Sequence, residues 1–186
     1  MLVALSGTPG TGKSSIAQRL RKKDYMILDV NSIAFEHHFF LGKDIKRDSF
    51  ILDLDKLETH ISSYQHSHDL VLIEGHAAHL LPSVDKILLL RCHPKELITR
   101  LQKKGWTKDK ILENAQAEAL DIILCEAIEL HSPTNIFEIT TSQKNIDEIV
   151  KEIITILDSR FQSTKYKIGK IDWSEELLQP YLLGEN

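Results

Sequence analysis

Short, unbroken apolar runs punctuate this chain, and between them apolar residues recur every three or four positions. Leu2 to Leu5, Tyr25 to Leu28, Leu70 to Ile73, Lys86 to Leu90 and Asn135 to Ile139 are rich in Leu, Ile and Val and lack alternation. That is the mark of strands covered on both faces. Ser14 to Lys22, Asp53 to Tyr64, Pro94 to Lys103, Lys108 to Leu130 and Ile146 to Phe161 carry one-sided helical stripes. The longest of these, Lys108 to Leu130, reads as one helix with Ile111, Leu112, Ala115, Leu120, Ile123, Leu124, Ala127 and Ile128 on its buried side. Strand and helix alternate, which predicts a three-layer α/β fold around a five-stranded parallel sheet.

Two stretches break the rhythm. Asn31 to Leu52 gathers Phe35, Phe39, Phe40, His37 and His38 beside Lys43, Lys46 and Arg47, and reads as an inserted helical flap. It is either an acceptor-binding element or an aromatic core patch with solvated charges. Lys103 to Lys108 is a short basic loop between helices, placed to act as a lid whose cations close over a charged substrate. Beyond Phe161 a polar segment leads to Trp173, Leu177, Leu178, Tyr181, Leu182 and Leu183, a short helix that docks on the domain or awaits a partner.

The strongest chemical pattern is Gly7-Thr8-Pro9-Gly10-Thr11-Gly12-Lys13-Ser14, set between the first apolar run and the first helical stripe. Glycines there let backbone N–H groups turn inward onto phosphate oxygens, and the following helix adds its positive end. Lys13 then reaches the β- and γ-phosphates, and the Ser14 hydroxyl suits Mg2+. A carboxylate at the end of a neighbouring strand completes such a metal site, and Glu74 closes the Leu70 to Ile73 run. His76, two residues on, is suited to touching phosphate or holding Glu74. Arg91 and Arg100 are further candidates for phosphate contact, each balanced against an ordinary solvated position on the surface.

Length and composition sharpen this. The 186 residues, 42% of them hydrophobic, suit one domain over residues 1–186. A net charge of -4 argues against general binding to a nucleic-acid backbone. Cys92 and Cys125 stand far apart with no CxxC pair, so neither a disulfide framework nor a thiolate zinc site is expected. The spacings His76-x-x-His79 and His66-x-His68 lack a third ligand at a recognised interval. No apolar run spans a bilayer and the first strand begins directly after Met1, so the expectation is a soluble, cytoplasmic protein. The absence of Asn-Lys-x-Asp leaves guanine selectivity without a source.

The opening GTPGTGKS, Glu74-Gly75-His76, Leu90-Arg91, and the run Arg100-Leu101-x-x-Lys104-Gly105-Trp106-x-x-x-Lys110-x-x-x-Asn114-x-x-x-Glu118 together resemble the small adenylate kinases of the isoenzyme 6 type and their archaeal relatives. The match runs from residue 1 to about Leu157. The resemblance implies a nucleoside monophosphate kinase fold with an acceptor insert near 31–52, a short lid near 103–113 and a tail from 162–186. It implies transfer of the ATP γ-phosphoryl group to AMP with Mg2+. Gly10, Gly12, Lys13, Ser14, Ser15 and Lys104 would bind ATP, with Lys13, Glu74, His76 and Lys104 catalytic, Ser14 on Mg2+ and Glu74 supporting the metal. It also implies ATP hydrolysis tied to maturation of the small ribosomal subunit, with a small-subunit ribosomal protein or pre-ribosome as partner. A nucleotide-switched assembly ATPase and a small-metabolite kinase are the alternatives. Two positions depart from the family pattern: Glu74 stands where Asp is usual, and Lys104 where Arg is usual, exchanging a bidentate fork for a point charge.

Overall fold

The computed structural model describes residues 1–45, 49–66 and 68–183, the His66 side chain excepted. Five strands form a parallel sheet: β1 (Leu2–Gly7), β2 (Ile27–Asp29), β5 (Val71–Glu74), β6 (Lys86–Arg91) and β7 (Ile136–Thr140), in the order β2-β5-β1-β6-β7. Every residue of β1 is buried, because the sheet is covered twice. Leu2 and Ala4 face a layer that includes Val30, Leu57, Ile61 and Leu124. Val3 and Leu5 face the other, built from Ile16, Leu20, Ile149, Val150 and Ile153. Helices α1 (Lys13–Arg21) and α7 (Ile146–Asp158) supply that second layer, and α2 (Val30–His37), α3 (Leu54–Ser62) and α6 (Ile122–Leu130) contribute to the first. This double burial is why the strands read as unbroken apolar runs.

The insert differs from the helical flap expected of Asn31 to Leu52. Its first part is α2, capped by Asp29, whose carboxylate accepts from the Ser32 N–H at 2.8 Å. His38 then adopts a left-handed conformation and ends the helix. The chain continues into an antiparallel hairpin of β3 (Phe40–Asp44) and β4 (Ser49–Leu52), on which Phe35, Phe40 and Phe50 pack against one another. Phe35 and Phe50 are about half exposed, whereas Phe39 and Phe40 are partly buried and pack against the core. Lys46 and Arg47 lie outside the described residues.

The long helix expected over Lys108 to Leu130 is two helices, α5 (Lys108–Ala119) and α6. Asp121 takes a positive φ of 55° between them. The apolar stripe continues through the break, so its cause is tertiary. Arg91 binds the Asp121 carboxylate and donates to the Glu118 carbonyl at 3.2 Å, drawing the chain out of helical register.

Helix α4 (Pro94–Lys103) packs on α5 around Leu97, Leu101, Ile111 and Trp106. The tail docks on the domain. Gly169 donates to Glu138 at 2.8 Å, Gln116 donates to the Leu182 carbonyl at 2.8 Å, and Leu182 of α8 (Pro180–Leu183) is buried against Ala115 and Ala119. Among the described residues, no helix is long and apolar enough to cross a membrane.

Candidate active site

The carboxyl ends of β1, β5 and β6 lie side by side, and the loop of residues 7–14 rises from the central one. At Gly7 the backbone φ is +141° and a Cβ would lie 2.4 Å from the Leu90 carbonyl oxygen, so no side chain fits. Gly12 caps α1 in the left-handed conformation with no side-chain hydrogen bond to the first turn. The N–H groups at that end are therefore left to an outside acceptor, where the helix dipole favours negative charge.

Lys13 is buried and folds its ammonium back onto the loop, donating to the carbonyls of Gly7 at 2.6 Å and Thr8 at 3.1 Å. Burial lowers its pKa to about 8, with Glu74 and Glu118 opposing and the charge of Lys104 adding to the fall. The influence of Lys104 places the lid cation within electrostatic reach of the loop lysine. Lys104 itself is exposed at the end of α4, where Gly105 turns the chain at φ +73° into the Trp106 packing. Ser14 and Ser15 stand exposed on the first turn of α1, and Gly10 lies in the loop.

Ser14 donates to Glu74 at 3.1 Å, so the structure joins these two predicted residues. Glu74 is 4% exposed, and its pKa is raised first by burial and then by the neighbouring carboxylate of Asp29. Asp29 was not singled out from the sequence. It ends β2 directly opposite Glu74 in the sheet register, and its position before Val30-Asn31-Ser32 as a helix cap was the available clue. The hydroxyl and carboxylate oxygens of Ser14, Glu74 and Asp29 are hard donors of the kind Mg2+ takes. No cluster of three or more His, Cys, Asp or Glu arranged to hold a metal occurs among the described residues.

His76 lies exposed beside the site, and desolvation followed by repulsion from Lys13 and His79 holds its pKa below the ordinary histidine value. Its carbonyl accepts from Ser6 at 3.2 Å. His79 is a buried brace, with its ring between Ser6 at 2.9 Å and Glu126 at 3.0 Å.

Both candidate arginines prove to be committed inside the protein. Arg91 is 2% exposed, bound to Glu118 at 2.8 Å and to Asp121 and Glu138, and this cage raises its pKa. It cannot turn to a phosphate. Arg100 donates to the Thr141 carbonyl and hydroxyl at 2.8 and 3.0 Å and to Glu96 at 2.7 Å, with Gly10 at 3.5 Å. It fastens α4 to the segment after β7 beside the loop.

A loop of this geometry on the middle strand of a parallel sheet cradles the phosphates of a nucleoside triphosphate, and the molecule is by class a P-loop kinase. Residues 3–121 match the AAA_18 family, described as an AAA domain. A "Putative adenylate kinase" of Archaeoglobus fulgidus is 38% identical over 178 residues, covering 95% of this chain and 94% of its own length. The protein of the same name from Methanocaldococcus jannaschii is 35% identical over 177 residues, again covering 95% and 94%. The chain belongs to this family of adenylate-kinase-like P-loop proteins. Among solved structures, shikimate kinase from Bacteroides thetaiotaomicron shares the fold at a TM-score of 0.52 and 16% identity, covering 85% of this chain and 98% of its own. An uncharacterized protein from Eubacterium ventriosum does so at 0.56 and 14%, covering 86% and 99%.

Proposed function

We propose that this protein is an adenylate kinase, moving the γ-phosphoryl group of ATP to AMP to give two ADP. The observation that carries the reading is the buried Lys13 held on two loop carbonyls beside the Ser14–Glu74 contact. Phosphoryl transfer asks the protein mainly for positioning and charge neutralisation. Gly10, Gly12, Ser14 and Ser15 present the N–H groups and hydroxyls of the loop and first helical turn to the triphosphate. Lys13 leaves the Gly7 and Thr8 carbonyls for the β- and γ-phosphate oxygens, carrying its charge to where charge shifts in the transition state.

Ser14, with Glu74 and Asp29 behind it, would hold Mg2+, which when bound offsets the charge of the phosphates. Glu74 accepts the Ser14 hydrogen bond and so orients that hydroxyl. His76 borders the phosphates as a neutral donor or acceptor. Lys104 brings a cation over them from the lid at 103–113, excluding water as it closes. The insert at 31–52 supplies the acceptor site, and residues 1–186 work as one domain around it.

The acceptor is tested with a thermal-shift panel of AMP, CMP, UMP and dAMP. A ligand present at a hundred times its dissociation constant stabilises by about 2.7 kcal/mol, so AMP is expected to shift the midpoint more than the pyrimidine nucleotides. Equal shifts from all four contradict the assignment of AMP.

A further inference from the structure

We propose that Glu118 is a positioning residue for the phosphate loop, acting through the Thr8 hydroxyl, and that it couples the lid helix to ATP binding. The inference rests on reading that loop as the ATP phosphate site. Glu118 divides its carboxylate between two tasks. Oε1 accepts from Arg91 Nε at 2.8 Å and from the Cys92 N–H at 3.0 Å, which satisfies the buried cation and the end of β6. Oε2 accepts from the Thr8 hydroxyl in the loop. Both partners are buried, Thr8 at 2% and Glu118 at 3% exposure.

Thr8 is the knot of the loop. Its carbonyl accepts from Lys13 Nζ at 3.1 Å, from the Thr11 N–H at 3.2 Å and from the Thr11 hydroxyl at 2.9 Å. Fixing its side chain from outside fixes the carbonyl that holds the loop lysine. The element that does so is α5, which starts at the lid turn with Lys108 and ends with Glu118 and Ala119. Just beyond lies the left-handed Asp121, which Arg91 also grips. The lid helix is thus anchored at the end that touches the loop, with the lid turn at its other end.

Thr8→Val keeps the volume and removes the hydroxyl, while Thr8→Ser restores it. In the full-length protein, losing this charge-assisted hydrogen bond is expected to lower kcat/KM for ATP about tenfold in Thr8→Val, with KM for AMP unchanged within about twofold. Thr8→Ser is expected to return the ATP value to within about twofold of the parent. Glu118→Gln, which keeps the shape and removes the charge, should move the same ATP parameter the same way. Titration calorimetry with ATP alone gives a second reading that does not depend on AMP: about tenfold weaker binding in Thr8→Val supports the inference even if the acceptor proves not to be AMP. A lower melting temperature with unchanged ATP binding and kcat/KM would show that Glu118 only stabilises the fold, and so would overturn the inference. Equal losses in the ATP and AMP parameters would overturn it too.

Discussion

Lys13 donates an ammonium hydrogen to the Gly7 carbonyl at 2.6 Å, a contact internal to the loop that the proposed binding of ATP would exchange for phosphate oxygens. The lysine is therefore stored in position rather than solvated, and its pKa of about 8 places its charge near the working range. Lys13→Ala is expected to lower kcat/KM for ATP by about a hundredfold or more, the scale of losing one preorganised charge in a transition state. Steady-state kinetics on the purified variant checks this, and retained activity would mark a contaminating kinase.

The same residue sets a pH dependence. Its pKa is lower in the folded protein than in the unfolded chain, so between about 8 and 10.4 the unfolded state holds the extra proton. Folding stability from this group is expected to rise with pH through that window, while kcat/KM for ATP falls above about pH 8 because the ammonium is lost. Bound phosphates restore the charge, so the limb for kcat lies at higher pH. A pH–rate profile taken at low and at saturating ATP separates the two.

Glu74 titrates in the opposite sense. Its raised pKa means that the native state holds a proton more tightly than the unfolded chain does, so its contribution to stability is present at low pH and is lost as pH rises through the folded value. The proposed metal-supporting role calls for the ionised form, so activity is expected to rise across the same window. Asp29→Asn keeps the cap on α2, since Asn caps about as well as Asp, but removes the second negative charge. The acid limb of the pH–rate profile is expected to move to lower pH in that variant. An unmoved limb would show that Asp29 does not act on Glu74.

Arg91 distinguishes a structural cation from a phosphate ligand. Arg91→Met leaves Glu118, Asp121 and Glu138 without their shared partner, and such losses cost about 3–5 kcal/mol. Chemical denaturation should show that fall. A variant of full stability with reduced ATP affinity would instead make Arg91 a ligand.

Leu182 tests the docking of the tail. Leu182→Ala removes a side chain that is 1% exposed between Ala115 and Ala119, with an expected loss of about 2–4 kcal/mol in the same denaturation experiment. An unchanged midpoint would mean that the tail is not part of the folded unit.

The sheet was legible because double burial leaves unbroken apolar runs, and the loop because its glycines and lysine stand at fixed spacing between a strand and a helix. The break at Asp121 was not, since Ile111 to Ile128 keeps helical spacing across it and the cause is a contact from Arg91 in another element. The hairpin of β3 and β4 was hidden for a related reason: Phe35, Phe39 and Phe40 fall at helical intervals, while only Phe35 lies on a helix. The buried role of Arg91 was not visible because its three carboxylates lie 27, 30 and 47 residues away. Glu74 and Ser14 could be paired from local motifs alone, but Asp29 enters only through strand register, which a linear pattern does not carry.

As an adenylate kinase, the protein would use the loop in a two-nucleotide reaction. That reaction is tested most directly by the ratio of AMP-dependent to AMP-independent ATP consumption, measured on one preparation with Mg2+ and with the Lys13→Ala variant as background. AMP is expected to multiply ATP consumption, with two ADP formed for each ATP used. ATP consumption indifferent to AMP, yielding one ADP and free phosphate, would rule out an adenylate kinase.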